Sequence, residues 1–348
     1  MIRVVLADDS PTARELLRAI LEAEGDISVI AEAANGHEAV DQVERHHPDL
    51  VVMDVHMPGA DGLDATKEIM MRAPTPIVIV SSITHRDVDL SLSATQAGAL
   101  IALPKPDSPA SPRFAMDAHE LRGMVRAMSQ VKVVRRWSSG PQRNPTPRGG
   151  RRSAGAAPEL IVMAASTGGP AALRSILLDL PRTLRVPLLI VQHIARGFTA
   201  GFAEWLGGGC ALPVRLAAEG EPLRAGVVYV APDDRHLGVD GEGCARLSAS
   251  GPIGGFRPSA NYLFESAGHV YGPSLIAVIL TGMGSDGADG LEKARAAGAY
   301  VVAQDEPTSV VYGMAQEAVR RGVVDAVVPL EGIAGRLMEL VQRGNHAR

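Results

Sequence analysis

The fold of this 348-residue chain is limited chiefly by its two blocks of short apolar runs. A long stretch without such runs separates the two blocks. Within each block the runs alternate with amphipathic or glycine-rich segments, a pattern typical of parallel strands joined by helices. The predicted strands are 2–7, 29–31, 50–53, 76–80 and 99–103 in the first block, and 160–165, 187–191, 227–230, 275–280, 300–303 and 323–328 in the second. We therefore expect two α/β domains, each a doubly wound parallel sheet with helices on both faces.

The stretch between Leu121 and Pro158 contains nine basic residues and no acidic ones. From Trp137 onward it is also rich in Gly, Pro and Ser, so it has too few apolar side chains to form a core. We predict a flexible basic linker over residues 126–157, between a domain at 1–125 and a domain at 158–348. The positive charge of the linker either keeps it solvated or docks it on an acidic surface.

The overall charge does not favour nucleic acid or an anionic membrane as the main partner, because 34 basic and 39 acidic residues give a net charge of only −5. Cys210 and Cys244 form no C-x-x-C pattern, which argues against a disulfide framework or a zinc site. The chain start lacks the order of a signal peptide, and no apolar run approaches the roughly 18 to 20 residues that span a bilayer. We expect a soluble, monomeric protein of the cytoplasm, without membrane insertion.

Chemically active side chains follow the predicted strands of the first block. In chain order they are Asp8, Asp9, Asp54, Ser81 and Lys105. Each alone has an ordinary explanation, since an Asp after a strand is often a helix cap and a lone Lys is usually a solvated charge. Together they would meet in one crevice, because the carboxyl ends of neighbouring parallel strands converge.

Clustered carboxylates repel one another unless a hard cation such as Mg²⁺ neutralises them. We predict that Asp54 accepts a phosphoryl group. Mg²⁺ would be held by the carboxylates of Asp8, Asp9 and Asp54 and by the backbone carbonyl of His56. Ser81 and Lys105 would stabilise the phosphoryl oxygens, because phosphoryl transfer depends on positioned charge.

The motifs LADDS, VVMDVHMPGADGL, IVSS and LPKP resemble the receiver domain of two-component response regulators. The resemblance covers residues 1–125 and implies a flavodoxin-like domain that takes phosphate from a histidine kinase onto Asp54. It also implies a cis peptide bond between Lys105 and Pro106. Ala102 departs from the pattern, because receivers usually carry there an aromatic ring that reorients on activation.

Three residues at predicted strand ends of the second block suggest a serine hydrolase. Ser166 is followed by Thr167 and a Gly-Gly-Pro turn, which would expose its hydroxyl near free N–H groups at a helix start. A serine needs a base to take its proton, and the base needs a carboxylate to fix its tautomer. His193 and Asp286 are the predicted base and carboxylate.

Alternatives remain open from the residues alone. The turn at Ser166 lacks the first glycine of G-x-S-x-G and equally fits a phosphate-binding turn. His236 is the main alternative base and Asp289 the main alternative carboxylate. A lone histidine at a strand end is more often a structural hydrogen-bonding residue.

The second block resembles the catalytic domain of the chemotaxis protein-glutamate methylesterases, the CheB family. The motifs, in order, are AASTGGP, VQHIARGFT, VYVAPDDRHL, RPSANYLF, LTGMGSDGADGL and QDEPTSVVYGM. The resemblance implies a Rossmann-like domain with Ser166 as nucleophile, His193 as general base and Asp286 as its orienting carboxylate. It also implies that the Met283 N–H stabilises the oxyanion and that Thr167 shapes the site. Asn261 departs from it, because the family commonly has Asp there.

The two resemblances together imply a phosphorylation-activated protein-glutamate methylesterase that also deamidates glutamines. Its substrates would be methyl-accepting chemoreceptors, its phosphodonor a chemotaxis histidine kinase, and its esterase domain would need no cofactor. The unphosphorylated receiver would cover the active site. Two other readings stay open: a regulated hydrolase of a different ester, and a non-catalytic protein whose binding depends on phosphorylation.

Overall fold

A computed structural model describes residues 1–59, 61–82, 84–131, 133 and 157–345. The chain divides into two compact units, Met1–Gln142 and Arg143–Arg348. Most of the expected linker lies outside the described residues. Among the described residues, no helix is both long enough and apolar enough to cross a bilayer.

The first unit is a five-stranded parallel sheet with helices between successive strands. Its elements are β1 (Ile2–Ala7), α1 (Pro11–Glu22), β2 (Ile27–Ala33), α2 (Gly36–His46), β3 (Leu50–Met53), α3 (Gly62–Arg72), β4 (Ile77–Ser81), α4 (His85–Ala97), β5 (Ile101–Pro104) and α5 (Phe114–Met128). The strand order is β2-β1-β3-β4-β5, the flavodoxin-like order. The predicted α/β fold of this domain is confirmed.

Local sequence explains where these elements begin and why the strands are apolar. The side chains of Ser10, Asn35 and Asp61 accept backbone N–H groups at the starts of α1, α2 and α3, so each satisfies a donor that the helix leaves unpaired. Strand β3 is buried on both faces because helices cover both sides of the sheet. Its four residues are therefore all apolar.

Two details of the first unit differ from expectation. The peptide bond between Lys105 and Pro106 is trans, and the cis bond of the described residues is Arg257–Pro258. The two isomers of an X-Pro bond differ by only about 1 kcal/mol, so the local sequence alone does not decide between them. Helix α5 continues to Met128, past the boundary placed at residue 125. Arg126, the first residue of the expected linker, lies in this helix and pairs with Glu24 and Asp26.

The second unit is a seven-stranded parallel sheet with an added antiparallel hairpin. Its elements are β6 (Leu160–Ala165), α6 (Gly169–Asp179), β7 (Leu188–Gln192), α7 (Thr199–Gly207), β8 (Val214–Leu216), β9 (Val228–Val230), β10 (His236–Val239), β11 (Ala245–Ser248), α8 (Ala260–Tyr271), β12 (Leu275–Ile279), α9 (Ala288–Ala296), β13 (Tyr300–Gln304), α10 (Met314–Arg320), β14 (Ala326–Val328) and α11 (Leu330–Asn345). The six predicted strands are present, and β8, β10 and β11 were not predicted. These three are short, and β10 and β11 contain polar residues, so they give no apolar run.

The strand order of the second sheet is β14-β13-β12-β6-β7-β9-β8. When the edge strand β8 is set aside, this is the Rossmann order, with the direction of winding reversing between β6 and β12. Ligands of open α/β sheets bind where this reversal occurs, beyond the carboxyl ends of the strands. The end of β6 and the loop after β12 are therefore where the fold favours a site.

Candidate functional site

The sheet places Ser166 and His193 side by side at the carboxyl ends of β6 and β7. Ala165 and Gln192 are register partners at the last positions of these strands. The next residues continue the pattern, because the His193 N–H donates to the Ala165 carbonyl at 2.9 Å and the Ser166 N–H donates to the Thr281 carbonyl at 3.0 Å. Ser166 is thus fixed between the end of β7 and the loop that follows β12.

The Gln192 side chain is hydrogen-bonded to the same two residues. Its side-chain Nε2 donates to the carbonyls of both Ser166 and His193, each at 2.8 Å. Gly169, the first residue of α6, leaves room for this amide, because a Cβ there would lie 2.1 Å from Gln192 Oε1. Gln192 was not among the predicted site residues.

Asp286 lies in the loop after β12 and meets His193. The two side chains approach with 2.9 Å between His193 Nε2 and Asp286 Oδ2. The carboxylate also accepts hydrogen bonds from the Ser259 hydroxyl at 2.8 Å, the Ala260 N–H at 2.7 Å and the Asn261 N–H at 3.2 Å. These N–H groups belong to the start of α8, where a helix favours an anion.

The electrostatics keep Asp286 ionised. Burial of the carboxyl by itself raises its pKa, but the hydrogen bond and charge of His193, with the Ala260 N–H and the Ser259 hydroxyl, outweigh burial and hold the pKa below its usual value. An ionised Asp286 accepts a hydrogen bond from the N–H of His193 Nε2. The other ring nitrogen, Nδ1, is then the one with a free lone pair.

His193 Nδ1 is buried and has no hydrogen-bond partner in the described part of the chain. The His193 side chain is only 8% exposed, so this nitrogen is shielded from bulk solvent. The Ser166 hydroxyl likewise makes no hydrogen bond to a described residue, although the strand register places Ser166 and His193 side by side at the ends of β6 and β7. Catalytic hydrogen bonds often tighten only when substrate binds.

Backbone donors surround Ser166. The N–H groups of Thr167, Gly168 and Met283 donate to no described residue. The first two precede helix α6, whose N-cap Gly168 adopts a φ of +75°. Gly282 allows Met283 to come near, because a Cβ at Gly282 would lie 2.8 Å from Ser166 Cβ. The buried Thr167 accepts the Thr281 hydroxyl on its carbonyl at 2.9 Å, which ties the two loops together.

The alternative base and carboxylate have other partners. His236 is fully buried, and its two ring nitrogens bond the Gly251 carbonyl at 3.0 Å and the Ser259 N–H at 3.2 Å. Neither nitrogen is left to take a proton from serine. Asp289 is exposed and pairs with Arg321 at 2.5 Å.

A cluster of carboxylates lies at the carboxyl edge of the first sheet. Oxygens of Asp8, Asp9 and Asp54 lie within 4.8 Å of one another. Lys105 Nζ lies 2.7 Å from Asp8 Oδ2 and 2.8 Å from Asp54 Oδ2, where it offsets part of their repulsion. The structure therefore gathers four of the predicted residues, and their hard oxygen donors are of the type that Mg²⁺ prefers.

Burial and neighbouring charges both shift the pKa values of the groups in this cluster. Burial of Asp54, together with the charge of Asp8, raises the Asp54 pKa despite the opposing Lys105 ammonium and His56 N–H. Burial lowers the pKa of Lys105, but its two carboxylate partners outweigh burial and raise it. Lys105 therefore stays protonated.

The two remaining predicted residues of the first unit, His56 and Ser81, differ in how they relate to the acidic cluster. The His56 backbone N–H supports the Asp54 carboxylate, so this backbone borders the acidic cluster, while the His56 side chain is exposed. The Ser81 hydroxyl donates to the Ser82 carbonyl at 3.1 Å and lies 2.8 Å from Ser91 Oγ. It makes no hydrogen bond with Asp54.

Sequence reasoning missed Ser259, Phe256 and Gln192, and it named Asn261 only as a departure from the family pattern. Ser259 and Asn261 support Asp286 and its loop, and the Phe256 ring stacks on His193. A polar residue directly before a helical pattern is a cap signal that could have marked Ser259 as a helix start. That signal does not identify which carboxylate the residue would bind.

Known proteins share both halves of this architecture. Residues 161–337 match the CheB methylesterase family and residues 4–111 match the response regulator receiver domain. Protein-glutamate methylesterase/protein-glutamine glutaminase 4 of Myxococcus xanthus is 50% identical over 97% of this chain and 96% of its own length. The corresponding protein 3 of Anaeromyxobacter dehalogenans is 47% identical over 99% of this chain and 100% of its own.

A solved structure resembles the second unit. The CheB methylesterase catalytic domain of Thermotoga maritima is 38% identical and has a TM-score of 0.52, and the match covers 53% of this chain and 99% of that one. The similarity thus spans essentially the whole of that catalytic domain.

Proposed function

The chain belongs to the CheB methylesterase family, and from this premise we propose that it hydrolyses glutamyl methyl esters and deamidates glutamines on chemoreceptors, under control of its receiver. The observation that carries the proposal is the His193–Asp286 pair beside Ser166, with 2.9 Å between His193 Nε2 and Asp286 Oδ2. The relatives named above carry both activities in their names.

The first half-reaction is the attack of Ser166 Oγ on the γ-carbonyl carbon of the ester. His193 Nδ1 takes the serine proton as the new C–O bond forms. Asp286 holds the Nε2 proton and stabilises the imidazolium, and it does not itself take up the proton. His193 then gives its proton to the departing methoxide, so that methanol leaves and an acyl-enzyme remains.

The second half-reaction returns the enzyme to its starting state. His193 removes a proton from water, the resulting hydroxide attacks the acyl carbon, and Ser166 leaves with the proton that His193 returns. The product is a free glutamate side chain. A glutamine substrate follows the same path, except that the first leaving group is ammonia.

Negative charge develops on the carbonyl oxygen in both half-reactions. The N–H groups of Met283, Thr167 and Gly168 have no partner in the described residues, so they are candidates to donate to that oxygen. One such donor is typically worth about 10²- to 10³-fold in rate. Thr167 also helps to hold the site through its carbonyl bond to Thr281.

We propose Asp54 as the phosphoryl acceptor of the receiver, with a histidine kinase as donor. The carboxylates of Asp8, Asp9 and Asp54, with the His56 backbone carbonyl, would hold Mg²⁺. When bound, the ion supplies charge neutralisation for these carboxylates and for the phosphoryl oxygens. Lys105 would turn to the phosphoryl group, and the Ser81 hydroxyl would have to leave Ser91 to reach it.

Phosphorylation would control the esterase by shifting a conformational equilibrium. It can change the active population only by the difference in interaction energy that the phosphoryl group makes in the two states. We also propose that the protein acts as a monomer in the cytoplasm. Its two cysteines are unpaired, in keeping with a reducing compartment.

The test is methanol release from methylated chemoreceptor membranes, with and without a small-molecule phosphodonor. We expect donor-stimulated release from the wild type and no release from Ser166→Ala. We expect Asp54→Asn to release methanol at a rate that the donor does not raise. Folded wild type that releases no methanol from several receptors would overturn the methylesterase proposal. Turnover of a model ester in that case would indicate a hydrolase of another ester, and its absence would favour a binding protein.

A further inference from the structure

The segment before helix α8 contacts the His193 ring. Phe256 packs flat against His193, with ring centroids 4.1 Å apart and 13° between the ring planes. Ile253 and Phe256 exchange two backbone hydrogen bonds of 3.0 Å. Gly254 and Gly255 between them have φ values of +59° and +90°, which only glycine adopts readily and which a tight hairpin turn requires. The turn therefore holds an aromatic ring in a fixed place.

His236 ties the two ends of this segment together. It bonds the Gly251 carbonyl through Nε2 and the Ser259 N–H through Nδ1. Ser259 in turn donates its hydroxyl to Asp286 at 2.8 Å. One buried imidazole thus anchors both the turn that carries Phe256 and the residue that supports the carboxylate.

The stacked ring supplies a restraint that the hydrogen bond to Asp286 does not. That bond fixes the position of His193 Nε2, but the imidazole can still tilt about it. Flat contact with Phe256 fixes the ring plane, and with it the direction in which the buried, unpartnered Nδ1 points. Productive proton transfer needs groups held within about 0.5 Å and 10–20° of their working geometry.

We propose that Phe256 is a positioning residue for His193, and that His236 anchors the segment 251–259 that presents it. The inference rests on the proposed function, because it takes His193 as the general base. Phe256 acts through the imidazole and not on the ester, so its loss lowers kcat and leaves KM nearly unchanged.

The first test compares Phe256→Leu with Phe256→Tyr in the full chain, saturated with phosphodonor, by steady-state methanol release. Leucine keeps apolar bulk but cannot stack, and tyrosine keeps the ring. Since a 1 Å misplacement can cost about 10²-fold, we expect the leucine variant to lose about 10- to 100-fold in kcat. The tyrosine variant is expected to restore most of this loss. Tyr271→Leu, at the far end of α8, is the matched control and is expected to keep the wild-type kcat.

The second test is non-additivity. If His236 acts through the same segment, His236→Asn combined with Phe256→Leu should lower kcat little more than the stronger single change. Melting temperatures show whether the His236 variant folds. If it does not, the Phe256→Leu and Phe256→Tyr variants test the positioning role by themselves. These two are expected to fold, because Phe256 is only partly buried. Multiplicative losses in folded variants would overturn the anchoring role of His236.

Several results would overturn the positioning role of Phe256. They are a wild-type kcat in Phe256→Leu, a rise in KM alone, or no rescue by tyrosine. Labelling of Ser166 by a serine-directed fluorophosphonate separates this failure from failure of the proposed function. An active, labelled wild type with an unaffected Phe256→Leu sinks only the inference, whereas a wild type that is neither active nor labelled sinks the proposed function.

Discussion

Replacing Asn261 by alanine tests how the loop that carries Asp286 is held in place. Asn261 Oδ1 accepts the N–H of Gly287 at 3.0 Å and the N–H of Gly290 at 2.8 Å. Its backbone N–H separately donates to Asp286 at 3.2 Å. Alanine removes the two side-chain hydrogen bonds and keeps the backbone one, so the perturbation falls on the end of the loop and the start of α9.

The expected loss of stability comes from these two hydrogen bonds. Each hydrogen bond contributes about 0.5 to 1.5 kcal/mol net, so we expect the free energy of unfolding to fall by about 1 to 3 kcal/mol. The helices are in close contact here, because a Cβ at Gly290 would lie 2.5 Å from the Asn261 carbonyl oxygen. In a domain of this size each kcal/mol lowers the melting temperature by roughly 2–4 °C, which predicts a decrease of about 5 °C. Met283 lies on the same loop, so kcat should also fall.

The assay is thermal unfolding followed by circular dichroism, together with methanol release. Asn261→Asp is the control, because aspartate keeps an acceptor for both N–H groups, and a negative charge is favourable at the start of α9. We expect it to melt close to the wild type. An alanine variant that also melts with the wild type would contradict this role for Asn261, since the two hydrogen bonds would then contribute nothing net.

Three further predictions concern Asp286 in the second unit and Gly62 in the first. Asp286→Asn removes the charge that orients His193 and should lower kcat by about 10³- to 10⁴-fold in methanol release, and a loss of tenfold or less would contradict the orienting role. Because the folded-state pKa of Asp286 is lowered, its ionised form stabilises the fold above the usual carboxyl pKa, and this contribution is lost as the pH falls through the folded value. Urea unfolding should therefore show the wild type losing more stability than Asp286→Asn between about pH 5 and pH 2. Gly62→Ala would place a Cβ 2.3 Å from the Asp54 carbonyl oxygen, so it should destabilise the receiver by about 1 to 3 kcal/mol and slow phosphorylation of Asp54. Gly123→Ala, where a Cβ meets nothing within 4 Å, is the control, and equal urea midpoints for the two variants would argue against this packing.

The positions of the candidate residues could be expected from sequence because one rule covers them. Parallel strands end on a common edge, so a polar residue directly after an apolar run is placed by the sheet itself. Asp8, Asp54 and Lys105 meet for this reason, and so do Ser166 and His193. The rule gives proximity only, and the Ser81 hydroxyl, which bonds Ser91 instead, shows that it does not give side-chain direction.

The supporting residues could not be found in this way, because their contacts join segments that are distant in sequence. Gly254 and Gly255 indicate a tight turn, but nothing local shows that the turn carries Phe256 to His193. Ser259 lies 27 residues before Asp286, and their bond depends on how α8 packs beside the loop after β12. The alternative base His236 illustrates the same limit, since only its tertiary partners reveal a structural imidazole.

The two buried carboxylates, Asp54 and Asp286, show why position at a strand end does not by itself assign a role. Asp286 accepts four hydrogen bonds, which occupy essentially all the lone pairs that a carboxylate offers. It is stabilised as a fixed anion and is a poor nucleophile. Asp54 has the Lys105 ammonium and the His56 N–H as donors, and burial with the nearby Asp8 raises its pKa. Oxygen lone pairs therefore remain on Asp54 for a phosphoryl group, so the number of donors around each carboxylate separates the candidate acceptor from the orienting group.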